Sequence, residues 1–373
     1  MISLQRQLPI ILVSLLSIAP RIANAQNLFS GYENLFTNPR SYVAMHTVAM
    51  PLIDGNVSEE AWKNVPWTDF FQDIEGNKIK PSPRLKTRAK MMWDDNNLYV
   101  AAEMEEPDVW ANLTERDQIV FHDNDFEIFV DPSNSTHNYF EIEINARNTI
   151  FDLFLPKPYR NQGGVVFGWN APGMKHAVRV NGSLNRPGDK DRGWTAEFAI
   201  PWTAITVGGG KHLPANGEIW RINFSRVEWD VDKMGGAYVK QKDASGKVKP
   251  ENNWVWSPQG VIDMHRPERW GYLQFYASPA GSDAPTFERP YAEYQRDYLW
   301  LTYYKQKDFQ RINKRYASTL QELGLPSSVP VRFRGSDLSN KLSMEATSDQ
   351  FRVSISDGAL PSISLTEDGL IGK

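Results

Sequence analysis

Glu127 in DFEIFVD, Glu143 and Asn145 in YFEIEIN, and Arg221 and Asn223 in WRINFSR have the types and spacing for one kind of chemistry. Carboxylate, amide and guanidinium groups are planar and hold hydrogen-bonding atoms in pairs, the arrangement that satisfies vicinal hydroxyls on a sugar ring. A flat aromatic face completes such a site. Phe121, just before the first segment, and Trp169, flanked by Gly168 and Asn170, are the candidates for it. Taken singly, each polar residue reads better as a solvated outer-face group or half of a cross-strand ion pair. The coincidence over several segments carries the weight.

Those residues need strands to position them. In YFEIEIN, Phe140, Ile142 and Ile144 alternate with Glu141, Glu143 and Asn145, and a period of two places the two sets on opposite faces. WRINFSR and WTAEFAI alternate in the same way. From 45 to 278 the chain is a series of short strands punctuated by Gly, Pro, Asn and Asp, which predicts a mainly β fold, a sandwich rather than a doubly wound sheet. RAKMMW and LYVAAEM form a hairpin across DDNN; brief helices are expected at SEEAWKNV, capped by Ser58, and at PWTAI. Segments 156–175 and 229–256 read as exposed loops or an inserted hairpin. After a linker at 279–290, residues 291–373 read as an α+β extension: a helix over 291–312, a second short helix in RYASTLQELGLP, and strands at 351–356 and 362–366.

Composition removes several function classes. The apolar run after Arg6, ending at Ala23-Asn24-Ala25, predicts a secretory signal cleaved after Ala25 and a periplasmic or extracellular protein. With no cysteine there are no disulfides, thiolate metal sites or lipidated cysteine. A formal charge of −4 argues against a nucleic-acid partner, and no later apolar stretch reaches membrane-span length. Soluble partners or neutral ligands remain.

In order along the chain, LIDGNVSEEAW, MMWDDNNLYVAAEMEEPD, FHDNDFEIFVDP, GWTAEFAIPW, RINFSRVEW and RPERWGYLQF resemble carbohydrate-binding module family 9, in its stand-alone branch of exported bacterial proteins. The resemblance covers residues 45–278 and implies a DOMON-like, immunoglobulin-like β-sandwich, non-catalytic binding of an oligo- or polysaccharide, structural calcium, and two aromatics clamping the sugar. It places Phe121 at one clamp position, Met264 and His265 at the other, and Glu127 at the acid of the EIF strand. Glu143 stands where the family has a sugar-binding arginine. Trp110 and Trp169, on predicted loops, are substitute platforms.

Calcium requires several oxygen ligands, and Asp108, Asp123 and Asp125, with Asn124 between the last two, lie near predicted strand ends; Asp54 and Glu60 form another acidic group. Two rival functions are open. Glu127 with Glu143 or Asp152 would be the carboxylate pair of a glycoside hydrolase. Met264 and His265 would be axial ligands of a haem-binding electron carrier, although neighbours on a strand point to opposite faces. RYASTLQELGLP and the strands after it resemble the end of pilin-type helices entering their sheet, implying assembly or docking to a partner such as an enzyme; the alternative is a helix that patches an exposed apolar face of the sandwich.

Overall fold

The period of two in the strands decides the architecture, and it does so on both faces. The structure, a computed structural model, describes residues 28–208 and 210–372; the signal sequence expected at 1–25 lies outside the described residues. The strands of the first unit are β1 (Ser41–His46), β2 (Gln72–Asp73), β3 (Thr87–Trp93), β4 (Asn97–Glu105), β5 (Asp125–Asp131), β6 (Tyr139–Asn145), β7 (Ile150–Leu155), β8 (Lys175–Asn181), β9 (Gly193–Pro201), β10 (Ile219–Glu228), β11 (Val231–Met234), β12 (Ala237–Lys240), β13 (Asn252–Val255) and β14 (Gly271–Pro279). They follow the order β7-β6-β5-β10-β14-β1-β3-β4-β9-β8, with β13 on β10 and β2 on β13, while β11 and β12 form a separate hairpin. β1 runs parallel to both neighbours and touches β3 through only Met45↔Met92 and His46↔Trp93. At that short junction the sheet curls over, giving the two layers of a β-sandwich.

Between the layers lie Phe126, Ile128, Phe140, Ile142, Phe198, Trp220, Ile222 and Phe224, the apolar sets of the alternating strands. Each such side chain contributes about 1.5–3 kcal/mol by leaving water. Outer-face groups also fasten the layers. Glu197 on β9 accepts the Trp62 indole N–H (2.5 Å) and the Gly55 amide (2.6 Å), which holds the LIDGNVSEEAW segment down. Gly55 has φ +84°, and a Cβ there would stand 2.7 Å from the Arg179 amide nitrogen, so only glycine fits. The helix in that segment is a single turn, α1 (Glu60–Lys63), and Ser58 bonds Asn56 instead of capping it. PWTAI forms turns rather than a helix.

The C-terminal unit is helix α2 (Tyr291–Asn313) packed on a sheet of β15 (Ser328–Phe333), β16 (Ser336–Ala346), β17 (Phe351–Ser356), β18 (Ile363–Thr366) and β19 (Ile371–Gly372), paired in sequence order. The short helix expected in RYASTLQELGLP is a one-turn 3-10 element, Gln321–Leu323, ended by Gly324. Leu299, Leu301 and Tyr303 of α2 bury against Val329, Val331, Val353, Ile355 and Leu365, so the helix covers its own sheet and not an apolar face of the sandwich. Contact with the sandwich is polar. Arg221 donates to Glu293 of α2 (2.5 Å), to the Trp270 carbonyl (2.8 Å) and to the Tyr272 hydroxyl (3.1 Å). Arg160 pairs with Glu268 (2.9 Å), which also accepts the Tyr304 hydroxyl of α2 (2.7 Å). Asn161 bonds the Asp368 carbonyl (2.5 Å) and the Tyr303 hydroxyl (2.6 Å).

Candidate functional site

On the outer face of β5 and β6, Glu127 sits directly opposite Glu143, and Asp125 and Glu141 flank them on the same face. All four are buried, from 0% exposure at Asp125 to 6% at Glu127. The cover is an outer apolar layer, Val120, Phe129, Tyr139, Phe151, Leu153, Leu155 and Trp270, with Val165 and Met264 against it. An open solvated face is therefore not what the strands present. The Phe121 amide donates to Glu143 (3.1 Å) and the Val227 amide to Asp125 (3.2 Å). Asp125 Oδ2 and Glu141 Oε2 have no donor among the described residues.

Burial without a balancing cation disfavours the ionised form. It pushes the Glu127 carboxyl up to about 7, aided by Glu251, and the Glu141 carboxyl up to about 8, aided by Glu127. Asp125 and Glu143 rise well above the usual carboxylate range, again from burial first and then from Glu127.

Aromatic groups ring this acidic floor. Phe121 is fixed by its amide bond to Glu143 and by its carbonyl, which accepts the Trp229 indole N–H (2.8 Å). Phe167, 58% exposed, stacks on Phe151, the β7 residue opposite Glu143. Tyr159, 43% exposed, lies 4.4 Å edge-on to the His265 ring, and burial with the fields of Glu141 and Glu143 pushes its hydroxyl up to about 12. His265 bonds the Tyr139 hydroxyl (2.9 Å), and burial holds its imidazole down at about 4. Glu127, Glu143, Met264 and His265 are thus brought to one place, with the Phe121 amide at its edge and the Phe121 ring packed on Trp110, Val227 and Trp229.

The other candidates are not. Arg221 is closed into the contact with α2, so its guanidinium has no free edge. Asn223 bonds the Ser257 carbonyl and accepts the Ser257 amide (2.9 Å), tying β10 to the segment after β13. Asn145 closes its own turn, accepting Arg147 and Thr149 amides and donating to Leu113 and Asp123. Trp169 packs on Phe140 at 5.0 Å, on the inner face of the sheet and away from Glu143. Trp110 is buried beside Val227 and Trp229 and offers no platform. Asp152 accepts the Ala171 amide and Arg116 on the face opposite Glu143.

The expected calcium triplet also separates. Asp108 pairs with Lys233 (2.6 Å), and Asp123 Oδ2 already accepts the Asn112 and Leu113 amides (both 2.8 Å) and Asn145. Asn124 bonds Glu106 and the Trp229 amide. Only Asp125 joins the acidic cluster. Phe167 and Tyr159 are the residues that the sequence does not single out, whereas Glu141 is its alternative to Glu143. Glu141 shares a face with Glu143 by the period of two, and Phe167 stands two positions before the Trp169 that drew notice.

A second concavity of about 810 Å³ opens over β3, β4, β8 and β9, lined by Trp62, Trp67, Arg88, Lys90, Glu103 and Arg179. Its ring is already engaged: the Arg88 guanidinium and the Lys90 ammonium lie 4.4 and 4.3 Å from the Trp67 centroid. Arg88 is paired with Glu103, and Lys90 donates to the Val57 and Trp62 carbonyls.

Comparison with known proteins places the sandwich. The chain is 28% identical over 233 residues to endo-1,4-beta-xylanase A of Thermoanaerobacterium saccharolyticum, covering 62% of this chain and 17% of that one. It is 27% identical over 213 residues to exoglucanase XynX of Acetivibrio thermocellus, covering 57% of this chain and 16% of that one. The chain thus spans about a sixth of the length of these curated relatives. Among solved structures, a carbohydrate-binding protein from Bacteroides uniformis aligns with TM-score 0.46 and 15% identity, over 64% of this chain and all of that one. A family 9 carbohydrate-binding module from Caldicellulosiruptor kristjanssonii in complex with cellotriose aligns with TM-score 0.38 and 18% identity, over 66% of this chain and all of that one. Residues 53–256, more than half of the chain, match the family described as carbohydrate family 9 binding domain-like, and the chain belongs to that family.

Proposed function

We propose that this protein binds carbohydrate without cleaving it, at the mouth framed by Phe121, Tyr159, Phe167 and His265 above Glu127, Glu141 and Glu143. Family membership supplies the class of function. The observation that carries the location is the exposure of two rings, Phe167 and Tyr159, over the apolar layer that covers the carboxylates of β5 and β6. The rings would take the apolar side of the sugar, and its hydroxyls would bond polar groups at the rim. Each such contact is worth ~1 kcal/mol net of water, so micromolar-class binding is expected.

A hydrolytic reading has less support. Glu127 and Glu143 are both buried under the outer apolar layer, so they do not flank an open cleft where a glycosidic bond could lie between them. The relatives named as a xylanase and an exoglucanase support a xylan- or glucan-type polysaccharide as the target and polysaccharide breakdown as the context.

A glycan array on the full chain, followed by titration of the best glycan, tests the reading. Binding that weakens in Phe167→Ala and Tyr159→Ala supports it. Binding indifferent to both moves the site elsewhere, and sugar release that disappears in Glu127→Gln and Glu143→Gln makes the protein an enzyme.

A further inference from the structure

The concavity over β3, β4, β8 and β9 lies on the other layer of the sandwich from β5 and β6, and its electrostatics are reversed. Arg88 and Lys90 of β3, with Lys86 one residue before it, fall on one face at a spacing of about 6.6–6.8 Å. Two rings stand between them. The Trp67 centroid lies 4.3 Å from the Lys90 ammonium and 4.4 Å from the Arg88 guanidinium, and the Phe70 centroid lies 5.7 Å from Arg88 and 5.4 Å from Lys86. Cation and ring alternate along this edge, so the charges are held in place before a ligand arrives. The hollow continues into a neighbouring one of about 590 Å³, with which it shares Arg88, Glu103 and Asn181. Gly193 and Thr195 of β9 keep the floor low, and Arg179 and Arg192 line the side facing β3.

With Lys63 the groove is lined by six cations against two carboxylates, Glu103 and Glu105, in a chain whose formal charge is −4. Arg179 and Arg192 are exposed and have no carboxylate partner among the described residues. Glu103 pairs with Arg88 (2.8 Å) where both are partly exposed, and such a pair is worth little. Lys90 spends two of its three N–H donors on the Val57 and Trp62 carbonyls. Burial, aided by Arg88, lowers its ammonium to about 8, a cost that an anion in the groove would relieve. The negative charge of the chain as a whole repels a long nucleic acid, and a concave groove does not fit a flat membrane surface. A chain of sugars that carry carboxylates or sulfates suits both features. Its anions answer the row of cations, and its apolar ring faces answer Phe70, which is 46% exposed.

We propose that the groove over β3, β4, β8 and β9 is a second ligand site, which binds acidic polysaccharide through Lys86, Arg88, Arg179 and Arg192 with Phe70 as its stacking face. The inference takes from the glycan reading only the class of ligand. Its groove shares no residue with the mouth at β5 and β6.

The test titrates oligogalacturonate, which carries carboxylates, and dextran sulfate separately into the full chain by calorimetry. No neutral glycan is present, so failure of the β5–β6 site leaves the experiment intact. The expected result is binding that weakens about tenfold or more when salt rises from about 0.01 to 1 M and again in the double variant Arg179→Glu, Arg192→Glu, whose positions are exposed. Phe70→Ala, which alters no charge, should cost about threefold. Added cellohexaose should not displace the acidic glycan. Tighter binding of one of the two probes supports the proposal and assigns the anion as carboxylate or sulfate. Absence of binding to both overturns it, as does undiminished affinity in the double variant or displacement by cellohexaose. Equal affinity for a single-stranded oligonucleotide overturns it too, making the groove a general polyanion surface.

Discussion

Two buried clusters of carboxylates in this molecule behave in opposite ways. Glu293 and Glu268 lie between the sandwich and α2, as buried as Glu127 and Glu143, yet burial there is outweighed by guanidinium groups. Arg296, Arg221 and Arg289 hold the Glu293 carboxyl down at about 2, and Arg160 and Arg266 lower Glu268. In the β5–β6 cluster no such groups are present among the described residues, and the same burial drives the carboxyls up. Desolvation alone does not set the sign; the partner does. The first cluster is a finished structural joint. The second is left without a counter-charge among the described residues, as the proposed binding site requires.

The comparison breaks most visibly at Arg221. Arg221→Ala leaves Glu293 and the facing carbonyls short of a partner and should cost about 3 kcal/mol in denaturant unfolding. A loss below about 1 kcal/mol would mean that Arg289 and Arg296 suffice. Trp169→Ala should cost about 2 kcal/mol, since the ring packs on Phe140, while leaving glycan affinity as it was. A drop in affinity would place the ligand on the inner-face side of the sheet.

Melting temperature against pH, in chelator, should show both clusters. Glu293 is depressed when folded, so its contribution is present above about 4.5 and is lost as pH falls toward about 2; Glu293→Gln should flatten that acid limb. Glu127 and Glu141 are raised when folded, so stability is greatest below about 4.5 and declines as pH rises through about 7 to 8. A melting temperature that rises between pH 5 and 9 contradicts the unbalanced cluster. Smallest in energy, Phe167→Ala and Tyr159→Ala should each weaken glycan binding by about 1 kcal/mol, roughly fivefold, and change stability by less than about 0.5 kcal/mol.

The strands that build the site were legible because alternation is local: YFEIEIN and DFEIFVD state which residues share a face. What covers that face is not local. Leu155, Trp270 and Met264 come from other segments, and Glu293, the partner of Arg221, is 72 positions away on a helix. Asn223 and Asn145 match a sugar site by type, but backbone groups of neighbouring segments claim their amides first. The β15–β16 ribbon was missed for a related reason: its outer positions are mostly Ser, Asp, Lys, Arg and Glu, and its buried face is only Val329, Val331, Asn340 and Leu342. The short helices at PWTAI and RYASTLQELGLP had the right terminal residues but too few turns to persist against the pull of nearby packing.

The parallel placement of β1 between β14 and β3 bears on how the protein is made. Ser41 finds Tyr272 only after nearly the whole sandwich has been synthesised, which at 5–20 residues per second is a delay on the order of ten seconds or longer. Until then β1 can meet only β3, through Met45 and His46, and the curl between layers cannot close.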